Sequence, residues 1–282
     1  MNQKTIGKLL AASALALAVS GAQAALIETW DYTLTLEWVT SATVFAPGNI
    51  VPGVNMAKYP GGTTNEKDLI SWGNRDAVEY WKINSPGDNR SALEIGPSLV
   101  TGTINLNSGS VAANMFTHYN SPVYEVYPTL QQAQLAVTID LALPNSATVF
   151  KLTETFQVYF VETPNTGLQC EWGLCDNDIF AILAVSPTLD NFSRSFNVDG
   201  IEYTFSYFET TPNLNPLSVA ACNEAKVPGG LACYGFTTPE SASTQVHFAF
   251  SITAVPEPET YAMLLAGLGM VGIVARRRRN TI

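Results

Sequence analysis

Positive charge is the scarcest property of this chain. Its 282 residues carry 14 Lys and Arg against 24 Asp and Glu, a formal net charge of −10, with only 2 His. Lys4, Lys8 and the four arginines at 276–279 lie at the two ends, and Glu257 and Glu259 are the only acids there. Residues 25–254 therefore hold 22 acidic and 8 basic side chains, a net of −14. Such a surface repels nucleic acid and anionic lipid, which excludes nucleic acid as a partner of the body. Several catalytic signatures are also missing. There is no Gly-x-Ser-x-Gly nucleophile step, no His-Glu-x-x-His zinc motif and no EF-hand loop. No repeat of fixed period appears, and no long helical pattern interrupts residues 25–254.

The ends are the most legible parts. Lys4 and Lys8 precede or interrupt an apolar run over residues 6–19, and Ala22-Gln23-Ala24 follows it. These are the parts of a secretory signal peptide, so entry into the general secretion machinery and cleavage after Ala24 are expected. At the other end, "VPEPETYAMLLAGLGMVGIVARRRR" joins a Pro-Glu-Pro step to an uncharged run at 260–275 and then to Arg276, Arg277, Arg278 and Arg279. A single transmembrane helix over 260–275 is the expectation. Sixteen residues span about 24 Å, short of the roughly 30 Å hydrocarbon core, so snorkelling arginines and Tyr261 at the interface must close the gap.

That tail resembles the PEP-CTERM sorting signal through Val255, Pro256, Glu257 and Pro258, the apolar segment with Leu264, Leu265, Gly267, Leu268 and Gly269, and the arginine cluster. The resemblance implies export in a Gram-negative bacterium and recognition of Pro-Glu-Pro by an exosortase. It further implies a precursor held in the inner membrane with its body in the periplasm, and final delivery to the outer surface or extracellular matrix, commonly among exopolysaccharide producers. The domain division is then a signal peptide at 1–24, an exported body at 25–254 and the sorting signal at 255–282.

Within the body the period is two. Trp30, Tyr32, Leu34, Leu36 and Trp38 share one strand face, as do Leu135, Val137, Ile139 and Leu141. Phe150, Leu152, Phe156, Val158 and Phe160 repeat the pattern, and so do Val246, Phe248, Phe250 and Ile252. Asp199-Gly200 between Phe196, Val198 and Ile201, Tyr203, Phe205, Tyr207 predicts a tight hairpin. Further strands are expected at 77–83, 91–95, 180–185, 100–104 and 124–127, with long loops at 45–65 and 209–238. The fold class is all-β: an antiparallel β-sandwich, with a jelly-roll connection open.

Four cysteines form two close pairs. In an exported body, Cys170–Cys175 and Cys222–Cys233 bridges are favoured, although sequence alone leaves three pairings and a metal or redox role open. Asp176 and Asp178 supply loop oxygens that suit Ca²⁺, the one cofactor considered. Glu154 and Glu162 border a strand without a placed partner for acid–base work.

His118 lies in Thr117-His118-Tyr119-Asn120, where a hydrogen-bonded ring tying a turn to neighbouring strands competes with ligand contact and catalysis. This step and the following Pro122-Val123 resemble the signature of the THxN family of PEP-CTERM proteins. Trp72-Gly73 and Ser91-Ala92-Leu93 resemble the family's preceding steps. That family carries no established activity. Three readings follow: a non-catalytic structural or adhesive surface protein, a carbohydrate-binding module, and a hydrolase of matrix polymer. The second requires Trp72, Trp81, Trp172 or Tyr119 along an exposed groove that could take exopolysaccharide.

Overall fold

A computed structural model describes residues 26–45, 67–73, 90–123, 127–144, 147–164, 169–170, 173–174, 176–183, 189–254 and 267–269. Two antiparallel sheets stack face to face in a sandwich-like arrangement. With strands numbered along the chain, sheet one runs β14 (Asn215–Pro216), β15 (Cys233–Thr238), β11 (Asp178–Leu183), β8 (Thr148–Val161), β7 (Leu130–Ala142), β1 (Thr29–Trp38), β5 (Leu99–Asn105). The short β2 (Val44–Phe45) also pairs with β7. Sheet two runs β12 (Asn191–Val198), β13 (Ile201–Glu209), β16 (Ser243–Ala254), β6 (Val111–Tyr119), β4 (Arg90–Ile95), β3 (Leu69–Gly73). A two-residue ribbon, β9 (Gln169–Cys170) with β10 (Gly173–Leu174), stands apart.

Alternation explains the layers. Trp30, Leu34, Leu36 and Trp38 of β1 and Leu135, Val137, Ile139 and Leu141 of β7 are buried against Tyr203, Phe205 and Tyr207 of β13 and Phe248, Phe250 and Ile252 of β16. Register keeps each set on the core side, since a one-residue slip would turn it to solvent. Phe116 of β6 packs against Trp38, Phe180, Phe236 and Phe248, so aromatic rings bridge the two sheets. The Asp199-Gly200 hairpin is present, with φ of 53° and 88°, the positive values a primed two-residue turn needs.

Several expectations are corrected. Residues 209–238 are not one long loop: they contain β14, the helix α1 (Val219–Glu224) and all of β15. The period-two test misses them because α1 and β14 are short. Ser218 caps α1 by accepting the Ala221 N–H at 3.1 Å, and Ala221, Cys222, Ala225 and Val227 cover the outer face of sheet one at Tyr159, Ile179 and Ala181. The expected strand at 77–83, residues 124–126 of the one expected at 124–127, most of the loop at 45–65, and the signal peptide lie outside the described residues.

The transmembrane helix is also withdrawn. Among the described residues no helix is long and apolar enough to cross a membrane. Of the 260–275 run only 267–269 is described, as helix, and the rest lies outside the described residues. The physical reason lies in the sequence: sixteen residues fall short of a hydrocarbon core, and Gly267, Gly269 and Gly272 weaken helicity within them. With the span go the inner membrane as a partner through the C-terminal segment and the inner-membrane-anchored precursor.

Candidate functional site

One end of the sandwich holds a polar cluster that both sheets build. Sheet two contributes Trp72 on β3, Ser91 on β4 and His118 on β6, with Asn120 and Ser121 just beyond. Sheet one contributes Asp178 on β11, Thr238 on β15, and Glu162 and Thr163 just past β8. His118, Asp178 and Thr238 are each 0% exposed.

Hydrogen bonds cross between the sheets at three points. His118 Nδ1 lies 2.8 Å from Thr238 Oγ1, Asn120 Nδ2 donates to the Thr238 carbonyl at 2.9 Å, and Trp72 Nε1 donates to Glu162 Oε2 at 2.5 Å. The Trp72 ring stacks on the imidazole at 5.9 Å and 13°, while Phe160 meets both rings edge-on. Ser91 Oγ donates to the Ser121 carbonyl at 3.1 Å, and the Ser121 N–H returns to Ser91 Oγ at 3.2 Å. Asp178 Oδ1 accepts the Thr163 N–H at 2.9 Å.

Protons can be placed from these contacts. The Thr238 hydroxyl donates to Thr244 Oγ1 at 3.0 Å, so His118 Nδ1 must carry the hydrogen that points at Thr238, leaving Nε2 as an acceptor. Nε2 lies 3.7 Å from Asp178 Oδ2. This is not an ion pair. Burial lowers the His118 pKa from 6.5 to about 3, so the ring is neutral at pH 7. Burial first, and its repulsion with Glu162, raises Asp178 well above the usual carboxylate range. Burial also pushes Glu162 up to about 8, against the Trp72 hydrogen bond that lowers it. Glu162 lies close enough to Asp178 for their repulsion to disfavour the charged form of Asp178. Asp178 Oδ2 and Glu162 Oε1 are buried acceptors that no protein N–H or hydroxyl serves, a condition relieved by a proton on one of the carboxyls. Glu240 nearby is pushed up to about 7, chiefly by burial, with Asp176 adding repulsion.

By residue type Thr238, His118 and Asp178 could suggest a catalytic relay, but the geometry gives another outcome. The hydroxyl proton is committed to Thr244, burial disfavours the charged form of the acid, and all three residues are 0% exposed. What the cluster does is join the sheets through neutral, directional contacts. The sequence-expected residues Trp72, Ser91, His118 and Asn120 thus come together. Gly73 follows Trp72 at φ 105°, where a side chain would be strained, and Thr117 is buried on the other face of β6 beside Tyr119 and Glu94.

Other expected site residues separate from the cluster. Trp72 is 1% exposed, which corrects its place along an open groove, Tyr119 is half-buried, and Trp81 and Trp172 lie outside the described residues. Asp178 turns into the core and not toward a loop cation. Among the described residues no group of three or more His, Cys, Asp and Glu could hold a metal ion. Glu154 takes the Arg194 guanidinium at 2.6 Å. Cys222 and Cys233 are bridged, with Cα atoms 5.9 Å apart, tying α1 to β15. Cys175 lies outside the described residues, so a Cys170–Cys175 bridge is an expectation still. Thr238 was hidden from sequence reasoning because its strand was read as loop.

Beyond the body, a sequence profile of the PEP-CTERM protein-sorting motif matches residues 254–279. The chain carries a PEP-CTERM sorting motif. The match takes in Val255, Pro256, Glu257, Pro258 and all four arginines, and is consistent with an exosortase substrate. The PEP-CTERM motif is a sorting signal and not a catalytic unit. No curated protein matches the chain.

Proposed function

We propose that residues 25–254 form a non-catalytic scaffold, delivered through the PEP-CTERM motif to the cell surface or extracellular matrix, where it contributes structure or adhesion. One observation carries this reading: Trp30, Trp38 and Trp72, the tryptophans among the described residues, are all buried between or beside the sheets. Ring stacking on sugars needs faces open to solvent, so these three large rings serve packing and not a polymer. The THxN-like residues fit the same role, since Trp72, His118 and Asn120 fasten one sheet to the other. Signal peptide 1–24, body 25–254 and sorting segment 255–282 are the division proposed with it.

The test is retention of the purified, disulfide-intact body on a panel of polysaccharides. A scaffold passes through unretained. Retention that disappears on Tyr119→Ala, with the fold intact, would replace the scaffold by a carbohydrate-binding module.

A further inference from the structure

The sorting segment leaves from the end of the sandwich opposite the His118 cluster, and the register shows how closely it follows the fold. β16 is an inner strand of sheet two. Its last residue, Ala254, pairs with Tyr203 of β13 and is 7% exposed. Asn107 clamps that residue: the Ala254 N–H donates to Asn107 Oδ1 at 3.2 Å, and Asn107 Nδ2 donates to the Ala254 carbonyl at 3.4 Å. The Asn107 backbone N–H in turn donates to the Ile252 carbonyl at 3.0 Å. The PEP-CTERM match begins at residue 254, so motif and fold meet on a single residue. Pro256 is two residues further, at most about 7 Å of extended chain.

An enzyme that reads a peptide segment does so through main-chain contacts with an extended stretch and pockets for its side chains. Up to Ala254 those main-chain groups are already engaged by β13 and by the Asn107 turn. A groove deep enough to enclose residues 251–254 would have to dismantle the strand.

We infer that the enzyme recognising Pro256-Glu257-Pro258 seats directly against the sandwich end around Ala254, and that this contact is part of recognition. The inference rests on reading the motif as the recognition step. The surface is made by the turn at 105–109, the Asp199-Gly200 turn and the start of β1. Thr29 pairs with Asn105, the Leu106 N–H donates to the Glu28 carbonyl at 2.8 Å, and the Ile27 N–H donates to the Tyr203 hydroxyl at 2.9 Å. Glu28, Asp199 and Glu202 are exposed beside the exit, so the partner is a protein with a basic rim around its peptide groove.

Pulse-chase of the full-length chain in its producing cell tests this with three variants. The first inserts ten Gly and Ser residues between Ala254 and Val255, the second combines Glu28→Lys, Asp199→Lys and Glu202→Lys, and the third replaces Pro256, Glu257 and Pro258 by Ala. Thermal melting of each body checks that the fold is kept. The spacer and the charge reversal are each expected to slow processing about five-fold or more, a rim-type effect on encounter and register. The alanine variant is expected to stay full-length. A spacer variant processed at the wild-type rate or faster overturns docking on the body, and an unaffected charge variant overturns the basic rim. Processing of the alanine variant at the wild-type rate overturns the motif reading itself, which the other two variants leave untouched.

Discussion

At the scale of single residues, His118 is the pivot of the cluster. Its removal leaves the buried Thr238 hydroxyl without its ring partner and empties the space between Trp72 and Phe160, and His118→Ala is expected to destabilise the body by about 1–3 kcal/mol in urea unfolding. The same residues predict a pH profile with two arms. His118 binds its proton less readily folded than unfolded, so stability is lost as pH falls below 6.5 toward about 3. Glu162 binds its proton more readily folded, so its contribution is complete below 4.5 and is lost as pH rises through about 8. Glu240 adds in the same direction up to about 7. Between pH 4.5 and 6.5 the two carboxyls together outweigh the imidazole, so unfolding free energy measured from pH 3 to 9 should peak near pH 4.5 and fall on either side. Glu162→Gln should flatten the alkaline arm and His118→Asn the acid one; an alkaline arm unchanged in Glu162→Gln would place the proton elsewhere. Part of this site was legible beforehand. The tryptophan, histidine and asparagine steps pointed to one place through family likeness, whereas Asp178 read as a loop oxygen suited to Ca²⁺ and Glu162 as a strand-border acid without a partner, because a lone sequence gives a carboxylate's neighbours along the chain and not those across a core.

At the scale of elements, alternation told which face of β1, β7, β13 and β16 is buried, and Asp-Gly told where one hairpin turns. It could not tell which strand lies over which, since period two carries no information about the opposing sheet. β15 shows the cost of that blindness. Gly235 on β15 lies against the Phe180 carbonyl of β11, into which any Cβ would run. Gly235→Ala is therefore expected to disrupt the β11–β15 pairing and to lower the melting temperature of the body, read by thermal unfolding. The Cys222–Cys233 bridge closes an interval of 11 residues over the same region. Replacing both cysteines by serine should cost up to about 3 kcal/mol, and the change should appear first as faster hydrogen exchange in α1 and β15.

At the scale of the whole molecule, the two poles of the sandwich hold different tasks: the cluster fastens one, and the sorting segment leaves the other. Swapping the PEP-CTERM segment onto an unrelated folded body, with its own last strand abutting Pro256, should preserve recognition only where that body offers a compatible end surface; processing assays across several such fusions would show it. Tyr203 gives this pole a mechanical character. Its hydroxyl holds the Ile27 amide and its backbone faces Ala254, so the first and last described stretches of the body meet at one buried ring. A pull applied between them would load rungs one after another, like opening a zipper, and would not shear whole strands together.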